Sequence, residues 1–234
     1  ITMIKKNKLL SMDLKRNHRL KYLIYFPEDY LTKMYPLVLF LHGVGERGNN
    51  LKDIENHGPT KLVKNGKKFP FIMIAPQCPS NLWWSDPLPV DLLSKLVNDT
   101  VEKYEINKNH VFCTGLSMGG YGTLALSIKN PKLFSAIVPV CGGVDTKNFF
   151  DILNLKDLPI WLFHGDKDEV IPLENSQNIY EVLKPVNKHI KLTVYKGVDH
   201  NSWDKAYDDD ELYRWMLSHK KDSNFGSQSE AVFL

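Results

Sequence analysis

The residues best able to do chemistry together are a serine, a histidine and one of three neighbouring carboxylates. Ser117 lies in Gly115-Leu116-Ser117-Met118-Gly119-Gly120, directly after an apolar run and directly before a helix-like stretch. Gly-x-Ser-x-Gly in that setting forms a sharp strand-to-helix turn that lifts the serine hydroxyl clear of the backbone. The new helix aims its free N–H groups and positive dipole end at the same spot. The competing reading is a glycine-rich turn that only packs a helix on a sheet.

A serine hydroxyl attacks poorly until a base takes its proton. With this turn the base and its orienting acid follow in the order serine, acid, histidine. His200, in Lys196-Gly-Val-Asp-His-Asn-Ser-Trp203, sits between the last strand-like run and the last helix-like one, where the base belongs. The alternative is an ordinary surface histidine. His164 comes too early in the order, and His189 and His219 stand beside lysines with little to recommend them. The acid is sought in His164-Gly-Asp-Lys-Asp-Glu-Val-Ile-Pro172, where Asp166, Asp168 and Glu169 compete. Asp166 suits a turn after Gly165. Asp168 lies further into the loop and is favoured, with geometry to decide. Asp199 adjoins His200, but neighbours in an extended loop point apart, so it reads as a turn former.

Acyl transfer also needs donors for the developing oxyanion. The N–H of Met118, after the nucleophile, is one. The second is expected from the loop Leu41-His-Gly-Val-Gly-Glu-Arg-Gly48, with Val44 the favoured donor. A plain glycine turn is the alternative there. Trp83 and Trp84 are candidates for a substrate wall, with core packing an equal alternative.

The elements that must hold these residues alternate. Apolar runs at Leu37–Leu41, Phe71–Ala75, Val111–Thr114, Ala136–Val140, Ile160–Phe163 and Ile190–Tyr195 are short and rich in Val, Ile and Phe. Runs of that kind fit strands buried on both faces. Between them, Pro89–Tyr104, Met118–Lys129, Leu173–Leu183 and Trp203–His219 carry apolar residues at helical spacing. The pattern predicts a mostly parallel sheet of about eight strands with helices on both faces. Leu9–Leu14 and Arg19–Phe26 predict an antiparallel edge hairpin around Lys15-Arg16-Asn17-His18. Two long loops, 43–70 with one short helix and 76–87, follow core strands, where open α/β sheets place ligands.

Composition narrows the function. The 234 residues carry 30 basic and 27 acidic side chains, a net charge of +3, with 43% hydrophobic and 24% charged residues. That is ordinary for a globular domain and argues against disorder or a disulfide scaffold. The lysine clusters 5–6, 64–68 and 220–221 are short and scattered, unlike a nucleic-acid footprint. No apolar run reaches the roughly 18 residues of a membrane span. Ile1–Leu10 lacks the long apolar core of an intact signal peptide, so either a cytoplasmic or an exported setting stays open. Cys78, Cys113 and Cys141 are odd in number and scattered, so no disulfide framework, no metal and no cofactor are expected.

Together, His42-Gly-Val-Gly-Glu-Arg-Gly48, Gly115-Leu-Ser-Met-Gly-Gly120, His164-Gly-Asp-Lys-Asp168 and Asp199-His200 resemble the α/β-hydrolase superfamily. The likeness is to its phospholipase/carboxylesterase and dienelactone-hydrolase-like serine esterases, feruloyl esterases among them. It covers roughly Leu20 to Leu217. Dienelactone hydrolases themselves use a cysteine where this chain has Ser117. The resemblance implies Ser117 as nucleophile, Asp168 as acid, His200 as base, and Val44 and Met118 as oxyanion donors. It implies a small-molecule ester substrate, with plant-cell-wall esters in range, and leaves the oligomeric state open. A thioesterase or acyl-protein esterase is the near alternative. A prolyl-oligopeptidase-like peptidase would need a propeller domain that this length does not house. A silent hydrolase fold serving as a binding module would predict a broken triad. Only 15 residues separate Gly143 from Pro159, enough for a short helix at Lys147–Leu153 and no large cap, which predicts an open site for accessible esters. One catalytic domain is expected over 1–219, with a loosely ordered tail over 220–234.

Overall fold

A computed structural model describes residues 3–13, 17–104 and 106–221. Eight strands form one sheet in the order β1-β2-β4-β3-β5-β6-β7-β8. They are β1 (Ile4–Asp13), β2 (Asn17–Phe26), β3 (Leu37–Leu41), β4 (Ile72–Pro76), β5 (Val111–Leu116), β6 (Ala136–Val140), β7 (Ile160–Gly165) and β8 (Ile190–Tyr195). β1 pairs antiparallel with β2, and β2 antiparallel with β4; all other neighbours are parallel. The chain therefore has the mostly parallel α/β plan expected, with an antiparallel hairpin at one edge.

Every residue of β3 through β7 is buried. Successive residues of a strand face opposite ways, and the core divides accordingly. Leu37, Leu39 and Leu41 join one apolar cluster; Val38 and Phe40 join the other. The first cluster is closed by α2 (Pro87–Lys103), α3 (Met118–Lys129) and α4 (Glu174–Leu183), through Leu93, Leu96, Leu124 and Ile179. The second is closed by α1 (Gly58–Lys64), α5 (Trp203–Asp208) and α6 (Asp210–Ser218), through Val63, Tyr207, Leu212 and Met216. Two covered faces explain why the strands read as unbroken apolar runs.

Several boundaries differ from expectation. β4 runs one residue later than Phe71–Ala75, and α2 begins at Pro87 rather than Pro89, its first turn closed by the Val90 N–H donating to Asp86 O at 3.1 Å. The single helix expected over Trp203–His219 is two. Asp209 adopts an extended conformation and its side chain accepts from the Glu211 N–H, starting α6 afresh. Loop 43–70 holds three helical pieces instead of one: 3-10 turns at Val44–Glu46 and Leu51–Asn56, then α1. The segment replacing a cap is a longer 3-10 stretch, Thr146–Leu155. The hairpin strands are longer than expected, while its turn residues Lys15 and Arg16 lie outside the described residues. So does most of the expected tail. Lys221, within that tail, is tied down: its N–H donates to Asn109 O at 3.2 Å and its ammonium to Leu133 O at 3.0 Å.

Candidate active site

The site is built where parallel strands end and loops begin. β5 ends at Leu116, and Ser117 turns the chain into α3 with φ 55° and ψ −117°. That backbone region costs a residue with a Cβ on the order of 1–3 kcal/mol, so the surroundings must hold it. They do: the Ser117 N–H donates to Val140 O at 2.9 Å, and the Gly120 and Tyr121 N–H groups return to Ser117 O. The flanking glycines are steric necessities. A Cβ at Gly119 would run into the Leu41 carbonyl, and one at Gly115 into the Gly119 carbonyl. The tight turn is thus pressed directly onto β3.

The Ser117 hydroxyl lies 2.9 Å from His200 Nε2, and His200 Nδ1 lies 2.7 Å from Asp168 Oδ2. A carboxylate only accepts, so Nδ1–H donates to Asp168. That leaves Nε2 bare to accept the Ser117 proton. Asp168 has a fully buried side chain, whereas the His200 side chain is 18% exposed. The other carboxylate oxygen, Oδ1, accepts the Val170 and Ile171 N–H groups at 3.0 and 2.8 Å.

The two loops carrying Asp168 and His200 are sewn together. The Lys167 N–H donates to Val198 O at 2.8 Å, and the Gly197 N–H donates to Asp166 Oδ1 at 2.6 Å. Gly165 lies so close to the carbonyls of Val198 and Asp199 that no side chain fits. Asp166 is therefore occupied as the turn residue expected. Glu169 is exposed and Asp199 accepts from the Asn201 N–H. Of the competing carboxylates, Asp168 alone meets the imidazole.

Val44 opens its 3-10 turn and Met118 opens α3. Among the described residues neither N–H has a protein acceptor, as is usual for first-turn donors. The Gly43–Val44 peptide is fixed from behind. The Cys78 N–H donates to His42 Nε2 at 3.0 Å, so His42 Nδ1 carries the proton, and it donates to Gly43 O at 2.6 Å. With the Gly43 carbonyl held, the N–H of the same trans peptide points the opposite way. Burial drives the His42 pKa down to about 4, opposed by the hydrogen bond to the Gly43 carbonyl and aided to a smaller extent by the Arg47 charge. The ring is thus a neutral strut. Behind it, burial raises the pKa of Glu46, opposed by His57.

Trp83 and Trp84 part company. Trp83 is 50% exposed and lines a cleft of about 680 Å³ over Ser117, with the Arg47 guanidinium 4.7 Å from its ring centre. Trp84 is fully buried, donates Nε1–H to His42 O at 3.1 Å, and packs beneath Gly122 of α3. The substrate-wall expectation is corrected for Trp84, which is core and a brace of the loop carrying Val44.

Sequence reasoning passed over three residues. Tyr121 lines the cleft one turn into α3, and a neighbouring groove of about 440 Å³ shares Ser85, Tyr121 and Asp145 with it. Trp203 stands edge-on to His200, ring centres 5.2 Å apart. His164 is buried with Nε2 3.1 Å from Asp168 Oδ2. The four-residue spacing of His164 and Asp168 was the one visible hint of that last contact.

All three cysteines are free and buried, and burial pushes each thiol up to about 12. Among the described residues, Cys141, Asp168 and His200 form a group whose ligand atoms lie within 4.8 Å of one another. Two of the three are already engaged: Asp168 and His200 are hydrogen-bonded to each other, and His200 Nε2 faces Ser117. No helix among the described residues is long and apolar enough to cross a membrane.

The phospholipase/carboxylesterase family profile matches residues 89–209, just over half of the chain. Acyl-protein thioesterase 1 of Gibberella zeae is 22% identical over 207 residues, covering 75% of this chain and 88% of that protein. A thermostable esterase of known structure superposes with a TM-score of 0.77 at 31% identity over 92% of this chain. The chain spans 63% of that esterase's length, under two thirds. A ferulic acid esterase superposes with a TM-score of 0.65 at 16% identity, covering 93% and 99% of the two chains, a likeness of fold alone.

Proposed function

The chain belongs to the phospholipase/carboxylesterase family of esterase-type α/β hydrolases, and from that premise we propose that it is a serine carboxylesterase working through an acyl-enzyme. The observation that carries the reading is the unbroken run of hydrogen bonds Ser117–His200–Asp168 at the mouth of an open cleft.

His200 takes the Ser117 proton as Oγ attacks the ester carbonyl. The carbonyl oxygen gains negative charge, and the free N–H groups of Val44 and Met118 stabilise it. Asp168 holds the imidazole in the tautomer that accepts at Nε2 and steadies the imidazolium that follows. His200 then returns the proton to the departing alcohol. Water, deprotonated by the same imidazole, releases the acid and restores Ser117.

The cleft favours accessible esters: among the described residues no large cap covers it, and Trp83 offers an exposed aromatic face beside Ser117. Aromatic and sugar esters of the plant-cell-wall type fit that face. A thioester is the second reading, favoured by the acyl-protein thioesterase relative; the same acyl-enzyme serves both. Ser117→Ala should remove p-nitrophenyl acetate hydrolysis and fluorophosphonate labelling from a folded protein. Retained activity would overturn the assignment. Rates on paired oxygen and sulfur esters of one acid decide between the readings.

A further inference from the structure

The proposed mechanism leaves one buried imidazole without a task. His164 is the penultimate residue of β7, just before Gly165; it is fully buried and hydrogen-bonded at both nitrogens. Nε2 lies 2.8 Å from the Ile171 carbonyl and 3.1 Å from Asp168 Oδ2. Nδ1 lies 2.7 Å from the Ser176 hydroxyl.

These partners fix the tautomer. A carbonyl and a carboxylate both accept only, so Nε2 must carry a proton. In the neutral ring Nδ1 then accepts from Ser176. That N–H is directed at the Ile171 carbonyl, and the same nitrogen lies 3.1 Å from Oδ2, the oxygen that holds His200. Asp168 therefore accepts three hydrogen bonds, from the Val170 and Ile171 N–H groups at Oδ1 and from His200 at Oδ2, with the proton-bearing nitrogen of His164 set beside Oδ2. Satisfying His164 alone would require only Ile171 and Ser176; the contact with Asp168 is additional.

We propose that His164 is a positioning residue for Asp168: its Nε2–H holds the Ile171 carbonyl, the Ile171 N–H in turn fixes Oδ1, and the same His164 nitrogen sits beside Oδ2, the oxygen presented to His200. The inference rests on the esterase reading above. Groups that orient a metal's ligands typically change activity about 10–100-fold when removed, and a group that orients Asp168 should act on a similar scale.

The test compares His164→Phe with His164→Gln in the full chain, on p-nitrophenyl acetate. Phenylalanine keeps a ring of similar size but donates nothing. Glutamine keeps an N–H near the Nε2 position. His164→Phe should lower kcat by about 10–100-fold with KM within about twofold. His164→Gln should stay within about threefold of the parent, which a packing role alone would not explain. A folded His164→Phe with parental kcat, or equal losses in both variants, would overturn the proposal. The unsubstituted protein provides an independent reading: nitrogen-15 NMR should show His164 with its proton on Nε2. A bare Nε2 would also overturn the proposal. Failure of the esterase reading is separately visible, as activity that survives Ser117→Ala.

Discussion

The two sides of the cleft are made differently. On the reacting side, Ser117, His200 and Asp168 are held by loops stitched to each other and to the strand ends, and Asp168 is satisfied at both oxygens. On the substrate side, the side chains of Trp83 and Val170 are exposed at 50% and 68% and belong to loops. The contrast teaches a division of labour. On the proposed mechanism, the geometry that bond making would need is over-determined, while the exposed cleft wall is left with few constraints. Changes on the first side should therefore be large and act on kcat or folding; changes on the second should be small and act on KM.

The sharpest way to break that contrast is Asp168→Asn, which gives His200 a donor where it needs an acceptor. An approximately 10³–10⁴-fold fall in kcat is expected at unchanged fold, measured by steady-state kinetics beside circular dichroism; a loss under tenfold would mean the orienting bond is dispensable. Gly119→Ala comes next, acting on folding. Its Cβ meets the backbone carbonyl of Leu41, which cannot swing aside, so a loss of about 3 kcal/mol or more is expected in urea unfolding.

Acid sharpens the same contrast, because the loop strut His42 is a buried neutral imidazole. Its pKa of about 4 lies below the ordinary 6.5. Between those values the unfolded chain binds the proton and the folded chain does not, so stability falls as pH drops from 6.5 to 4. The size is about 3 kcal/mol. Glu46, with its pKa raised by burial, opposes this at the low end by favouring the folded state as it protonates. Denaturant midpoints that stay flat across the window would refute the neutral strut. On the substrate side, Trp83→Ala should raise KM for an aromatic ester by about 3–10-fold with kcat unchanged. An equal fall in kcat would place Trp83 among the reacting groups. The smallest effect is expected from iodoacetamide on the native protein: three buried, protonated thiols should not react until unfolding.

What could be read in the sequence follows the same line. The turn around Ser117 depends on residues within five positions, and both the spacing and the flanking periodicities were visible. The strand runs were visible because both faces of β3 to β7 are covered. The choice among Asp166, Asp168 and Glu169 leaned to Asp168 on loop position alone; what closes it is Gly197 claiming Asp166 from 31 positions away, which no local spacing displays. The fate of Trp83 and Trp84 was equally hidden. Adjacent residues in an irregular segment point to opposite sides, and only the packed fold says which side is the core. The break at Asp209 was missed because apolar spacing continues across it, while the new helix start is a local hydrogen bond.

The positive φ of Ser117 has an evolutionary corollary. Glycine adopts that backbone readily, so Ser117→Gly should produce a chain that hydrolyses nothing and yet unfolds later than its parent. A lineage selected only for persistence would drift toward that glycine. The serine is thus a position where thermodynamics and usefulness pull in opposite directions, and its retention would mark continued demand for the reaction.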